Sequence, residues 1–223
     1  MYRLNFAAVL AHWPLFVQGV AMTVLISVIA MSLAVVLGLL LALGQLSPLR
    51  PLRAGARLYI HLFRGIPLYV YIIWLYYGLA LFLGVTLSPV HAGIIALSTL
   101  YAAYLAEIDR SGLQSIPATQ IQAAVSLGLT PLQTFRDVVL PQAVRVVIPP
   151  TTSMFAAMLM DSSLLSVIGV MDLMRLIRVG ASETFRSFEF YTAGAVVYVT
   201  LVLLVTRVSS LLERRYRFEG GHA

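Results

Sequence analysis

The chain has 223 residues, of which 60% are hydrophobic and 11% charged, with a mean hydropathy of +0.92. Soluble domains carry about 25% charged residues, so a water-soluble globular protein is excluded and an all-α integral membrane protein is indicated. Cysteine is absent, which removes disulfides, thiol nucleophiles and cysteine-ligated metals, and all 15 basic residues are arginine against 9 acids; in a membrane protein that excess sets orientation and meets membrane lipid rather than nucleic acid.

No charged residue lies between Arg3 and Arg50, more than the roughly 20 residues needed for one crossing. Trp13, Pro14 and Gln18 suit an interfacial approach, and the first span is predicted over 16–46. Ser27, Ala30, Ala34, Gly38 and Ala42 recur every three or four residues there, a stripe read as a helix-packing surface. Arg50, Arg53 and Arg57 follow in a short loop. The next uncharged run, 65–106, is too long for one crossing and is interrupted at Gly84–Pro89, so spans two and three are predicted over 58–83 and 89–109. Arg64, Glu107 and Arg110 at their ends are read as a structural ion cluster.

A fourth span is predicted over 144–168. It contains Asp161, Ser162 and Ser163, where the helix is expected to end or break. A carboxyl group inside a span turns toward a partner or a water-filled cavity, and a broken helix offers free backbone groups to a substrate. These three residues are therefore read either as a helix cap or as part of a translocation path. The segment 172–189 is expected to be amphipathic or loop-like rather than buried, and the fifth span is predicted over 190–211, ahead of Arg207, Arg214, Arg215 and Arg217. Counting arginines puts the first loop, the long third loop and the tail in the cytoplasm, the N-terminus outside and the C-terminus inside. The whole chain reads as a single transmembrane domain.

The third loop, 112–141, is the most sharply punctuated part of the sequence. Its first helix is predicted to begin at Pro117 and to end at Gly128, the residue type that most readily takes a left-handed cap. The second has Thr130 as N-cap, Pro131 as first residue and Gln133 as reciprocal capping partner, with Pro141 expected to stop it. The result is a helix-turn-helix outside the bilayer, read as a grip for a partner. It has few basic residues and is tethered to membrane at both ends, which argues against DNA reading.

The loop resembles the EAA signature of ATP-binding-cassette importer permeases. Gln122-Ala123-Ala124 is followed by Gly128 four residues after the second alanine, and then by Leu140-Pro141. Three further stretches resemble the polar amino-acid group that handles His, Glu, Gln, Arg and opines: Phe63-Arg64-Gly65-Ile66-Pro67-Leu68, Glu107-Ile108 with Arg110, and Asp161-Ser162-Ser163-Leu164 before Val167-Ile168-Gly169-Val170. Four matches in order and spacing cover nearly the whole chain. The chain departs from the pattern at Gln122 for Glu, Met160 for Lys, Ser162 for Thr and Ile66 for Thr. Met160 removes a cation near the expected substrate path.

The resemblance implies five transmembrane helices of the type I ABC-importer permease kind, in a bacterial inner membrane. Ala123 and Ala124 then allow close approach of a separate ATPase subunit, which Gln122, Gly128, Pro131 and Pro141 help to dock. It also implies an extracytoplasmic substrate-binding protein, a second permease copy or paralogue, and an amino-acid substrate. No phosphate-binding GxxxxGK[ST] loop is present, so ATP is expected on the partner, with no cofactor on this chain. His12, His61, His91 and His222 lack ligand spacing, and no metal site is expected. The rival readings are a passive channel, which has no need of the punctuated loop, and a membrane enzyme using Asp161 and Glu107, which the topology sets near opposite faces. An exporter is disfavoured because the chain has neither a fused ATPase nor long intracellular helices.

Overall fold

Backbone amides and carbonyls have no water to bond in hydrocarbon, so a chain this apolar satisfies them within helices. The computed structural model describes the backbone of residues 4–216 and the side chains of residues 4–211. Arg3, Arg217 and His222, and the side chains of Arg214 and Arg215, lie outside the described residues. Among those described there are nine helices and no strand: α1 (Ala7–Ala11), α2 (Trp13–Leu46), α3 (Arg50–Gly65), α4 (Leu68–Leu83), α5 (Pro89–Gln114), α6 (Ala118–Ser126), α7 (Pro131–Ile168), α8 (Leu173–Thr184) and α9 (Ser187–Tyr216). Four of them (α2, α5, α7 and α9) are long and apolar enough to cross a membrane, and α3 with α4 makes a fifth crossing if that bent pair is one span.

α2 packs most extensively on α5. The small-residue stripe makes this possible: Ser27, Ala30, Ala34 and Ala42 are completely buried, and a Cβ on Gly38 would stand 2.8 Å from Leu105 Cβ and 3.2 Å from the Ala102 carbonyl. The main core continues from this seam through Ile72 of α4, Leu97 of α5, and Met158 and Leu165 of α7. By contrast, the most apolar window of α2 is only 33% buried, which leaves its outer leucines and valines to face lipid or another chain.

Two parts of the backbone differ from the sequence reading. The predicted crossing 58–83 is two helices meeting at 104°. Pro67 disfavours helical geometry at the residue before it, and Ile66 is extended at φ −97°, ψ 127°. Pro141, expected to stop the second loop helix, does not. α7 widens into a π-helical turn at Thr134–Val139, where the Leu140 amide reaches back to the Phe135 carbonyl, and Pro141 falls in the first turn of the α-helical stretch Leu140–Asp161. A proline there lacks only an amide that the preceding turn does not need. Gln142 Nε2 donates to the Val138 carbonyl at 2.7 Å. The loop helix and the fourth span are thus one element. It stays α-helical to Asp161 and tightens to a 3-10 helix over Ser162–Ile168, closed by Gly169 at φ +91°.

At the end of the bundle away from α6, α8 lies between α2 and α9. It is amphipathic, as expected, but its flanking acids are not exposed: Asp172 and Glu189 are both 0% exposed. Asp172 caps α8, its Oδ1 accepting from the Arg175 amide at 2.9 Å, and Leu173 N donates to Thr23 Oγ1 at 3.1 Å. Glu189 Oε1 accepts from Arg186 at 3.2 Å and from the Asn5 amide at 3.0 Å. Helix N-termini and one guanidinium make these burials tolerable.

Two measurements follow. Gly38→Val is expected to lower stability in detergent by about 1–3 kcal/mol, read from the chemical unfolding midpoint, whereas Gly55→Ala, with nothing within 4 Å of the added Cβ, is expected to be neutral or slightly stabilising. Burial pushes the Asp172 carboxyl up from 3.8 to about 6, although the amides of α8 and the Arg175 charge pull it down. The folded state therefore holds that proton more tightly than the unfolded one, so its contribution is complete below pH 3.8 and is lost as pH rises through about 6. Thermal stability in detergent should rise on acidification across that window, and Asp172→Asn should flatten the rise.

Candidate functional site

The bend between α3 and α4, the middle of α5 and the end of the α-helical part of α7 line an open cavity of about 510 Å³. Arg64, Ile66, Tyr101, Tyr104, Met154 and Asp161 are among its lining residues. Each element delivers its side chain for a local reason. Arg64 stands in the last turn of α3, where a cation is favoured by the helix dipole, and its guanidinium carbon lies 5.5 Å from the centre of the Tyr104 ring. Asp161 is the last α-helical residue before the 3-10 segment, and Tyr101 donates its hydroxyl proton to Asp161 Oδ2 at 2.8 Å. The cavity thus presents a cation on one wall and a hydrogen-bonded carboxylate on another.

Ser162 and Ser163 do not line it. Ser162 is buried and its hydroxyl donates to the Leu159 carbonyl at 2.7 Å, a helix-terminal bond. Met160 also lies off the cavity, 47% exposed.

A second cavity, of about 530 Å³, shares Arg64, Tyr104 and Met154 with the first and adds Glu107, Ser111 and Pro150. Glu107 and Arg110 form an ion pair at 2.8 Å, and Gln45 of α2 donates to the other carboxylate oxygen of Glu107 at 3.0 Å. Arg110 also donates to Gln114 at 2.6 Å. Arg64 is in no ion pair among the described residues; it faces both cavities. Gln45 escaped the sequence reading because glutamine at the end of an apolar run has the same appearance as a solvated helix end. Nor are Glu107 and Asp161 near opposite faces. Asp161 is bonded to Tyr101, six residues and about 9 Å along α5 from Glu107.

The loop has its own geometry. α6 is preceded by Pro117, and it ends in a left-handed turn with Gly128 at φ +81°. The Leu129 amide donates to Ala124 O at 3.1 Å and the Gly128 amide to Val125 O at 2.9 Å, the paired bonds of a Schellman cap. Thr130 and Gln133 make the reciprocal capping box, with the Thr130 amide donating to Gln133 Oε1 at 2.9 Å, and Pro131 opens α7. Gln142 ties the two helices together through Gln120 at 2.7 Å. Ala124 is buried against this turn, whereas Gln122 and Ala123 are exposed. Exposed apolar side chains surround them: Val125 at 56%, Leu127 at 81% and Leu132 at 75%. Among the described residues no group of three or more His, Asp or Glu side chains is placed to hold a metal ion.

Residues 34–218 match the family model of the binding-protein-dependent transport system inner membrane component. The chain is 36% identical over 216 residues to the probable amino-acid permease protein YxeN of Bacillus subtilis, covering 96% of each. It is 32% identical to the arginine transport system permease protein ArtQ of the same organism, covering 96% of this chain and 98% of that one. The octopine transport system permease protein OccM of Rhizobium radiobacter is 36% identical, over 90% of this chain and 86% of that one. Among solved structures, an amino acid ABC transporter with histidines superposes with a TM-score of 0.91 at 36% identity, covering 96% of this chain and all (100%) of that one. A chain of the MetNI methionine ABC transporter superposes at 0.76 with 22% identity, over 92% and 97%, a likeness of fold alone. The all-helical architecture is that of type I ABC-importer permeases, and the chain belongs to the family of binding-protein-dependent transport system inner membrane components.

Proposed function

We propose that this chain is the permease subunit of an ATP-driven importer that carries a polar or charged amino acid, or an opine-like relative, into the cytoplasm by alternating access. The observation that carries this reading is the cavity in which Arg64 and Asp161 converge. A free amino acid brings one carboxylate and one ammonium group. The planar guanidinium of Arg64 matches the carboxylate in a two-point bond, and Asp161, held by Tyr101, accepts from the ammonium. The second cavity, past Tyr104 and Met154, gives a bound molecule a way onward along α5 and α7. The amino-acid, arginine and octopine permeases among its relatives point to the same substrate class.

Energy enters through the loop. The exposed face of α6, with Gln122 and Ala123 between Val125 and Leu127, is the docking surface for a separate ATPase subunit, and ATP is bound and hydrolysed there rather than on this chain. Gln122 keeps hydrogen-bonding capacity where a glutamate would add charge. One chain supplies half of a translocation path, so a second permease copy or paralogue completes it, and an extracytoplasmic binding protein delivers substrate. Arg50, Arg53 and Arg57 beside the end of α2, and Arg207 near the end of α9, orient the chain with its N-terminus outside and its C-terminus inside.

Three variants test this in proteoliposomes containing the co-expressed ATPase. Gly128→Pro forces a φ near −65° onto a position held at +81°; loss of ATPase co-purification and of uptake is expected. Asp161→Ala is expected to raise the amino-acid concentration for half-maximal uptake by about 10- to 100-fold, with ATPase binding intact; an unchanged value removes Asp161 from the path. Tyr101→Phe leaves Asp161 Oδ2 without its donor and is expected to cost about 1–3 kcal/mol in stability or substrate affinity.

A further inference from the structure

α3 carries a feature that neither the cavity nor the docking loop uses. It leaves the end of the apolar span α2 after the three residues 47–49 and stops at the 104° bend before α4, so connectivity places it where the apolar layer ends. Its inner face is Ala56, 7% exposed, and Ile60, 1% exposed, the latter packed with Ala103 and Ala106 of α5. Along one flank of that inner face run Arg50, Arg53, Arg57 and His61, at spacings of three and four residues that put all four on one stripe; Arg53 is half-buried and the other three are exposed. Beside this stripe stand Leu58, 70% exposed, and Leu62, 54% exposed.

Among the described residues the stripe has no counter-charge. None of the three arginines joins an ion pair among the described residues. The sequence contains no acid before Glu107, and Glu107 is already engaged by Arg110 and Gln45. Like charges at helical spacing repel one another, and leucines beside them stay exposed only where something apolar covers them. A surface that offers anionic groups and hydrocarbon within a few ångströms of each other answers both needs, and a phospholipid bilayer is such a surface.

We propose that this face of α3 binds the headgroups of anionic phospholipids, with Arg50, Arg53 and Arg57 on the phosphates and Leu58 and Leu62 in the acyl boundary. The site is independent of the transported substrate and of the loop that docks the ATPase. It makes the chain selective for anionic over zwitterionic lipid at a defined place, rather than generally basic.

The test is native mass spectrometry of the full chain purified with its ATPase partner and titrated with phosphatidylglycerol or phosphatidylcholine. Selective retention of phosphatidylglycerol is expected, falling about fivefold for each arginine removed, so R50Q/R53Q/R57Q should lose about a hundredfold. The control R136Q/R175Q/R178Q should retain it. Should the triple glutamine variant fail to fold, R50Q and R57Q read singly, while R50K/R53K/R57K, which keeps the charge, should retain phosphatidylglycerol. Equal retention of both lipids by the native chain, or undiminished selectivity in the glutamine variants, overturns the proposal. Displacement of lipid by excess inorganic phosphate would mark a free-phosphate site, and loss of the ATPase from R50Q/R53Q/R57Q would mark a protein interface; either outcome overturns it. A chain that selects phosphatidylglycerol but takes up no amino acid leaves this proposal standing and removes the transport reading.

Discussion

The close approach of α2 to α5, where Gly38 leaves no room for a Cβ, fixes the helix on which the charged groups of the cavity depend. One side of α5 presents small residues to α2, with Ala96, Ala102, Ala103 and Ala106 completely buried. Another side carries Tyr101, Tyr104, Glu107 and Arg110 in three successive turns. Tyr101 bonds Asp161, Tyr104 underlies Arg64, and Glu107 takes Arg110 and Gln45. An unpaired charge among apolar helices costs several kcal/mol, so none of these groups is placed independently of α5. A shift of α5 against α2 would move all of them together.

Local backbone chemistry was the most legible part of the sequence. Gly128, Thr130, Pro131 and Gln133 specify their turn through short-range geometry, and the same bonds appear in the structure. The small-residue stripe of α2 was also legible, because period and residue size alone define a packing face. The break after Asp161 was visible as polar residues inside an apolar run. Where the reading failed, the deciding fact was a partner distant in sequence or a departure from α-helical hydrogen bonding. Pro141 reads as a stop in an α-helix, but a π turn just before it shifts the carbonyls and lets the helix continue. Asp172 and Glu189 read as exposed because nothing in their own segment announces Thr23, Asn5 or the packing of α8 against α2. Arg64, grouped with Glu107 and Arg110 in the sequence, shares a cavity wall with Glu107, and the 104° bend that follows it sets where it stands.

The continuity of α7 has a mechanical consequence for the proposed transport cycle. A helix that begins in the capping box at Thr130 and remains helical to Asp161 is a rod about 45 Å long, with the docking loop at one end and the cavity wall at the other. Pro149 and Pro150 within it and the π turn near its start are the places where it bends most easily. Closure of two ATPase subunits, on this account, is carried to Asp161 through one element. Tightening to a 3-10 helix beyond Asp161 and the left-handed Gly169 then separate the rod from α8.

The central claim is that movement of an amino acid through the cavity is tied to ATP hydrolysis on a partner docked at α6. The most direct measurement counts both in the same proteoliposomes: labelled amino acid accumulated and phosphate released, with binding protein inside or outside and ATP on the opposite side. The account predicts uptake only with hydrolysable ATP on the face that bears α6, in a fixed ratio to phosphate released, and none with a non-hydrolysable analogue. Uptake that proceeds down a gradient without ATP would contradict it and make the chain a passive channel.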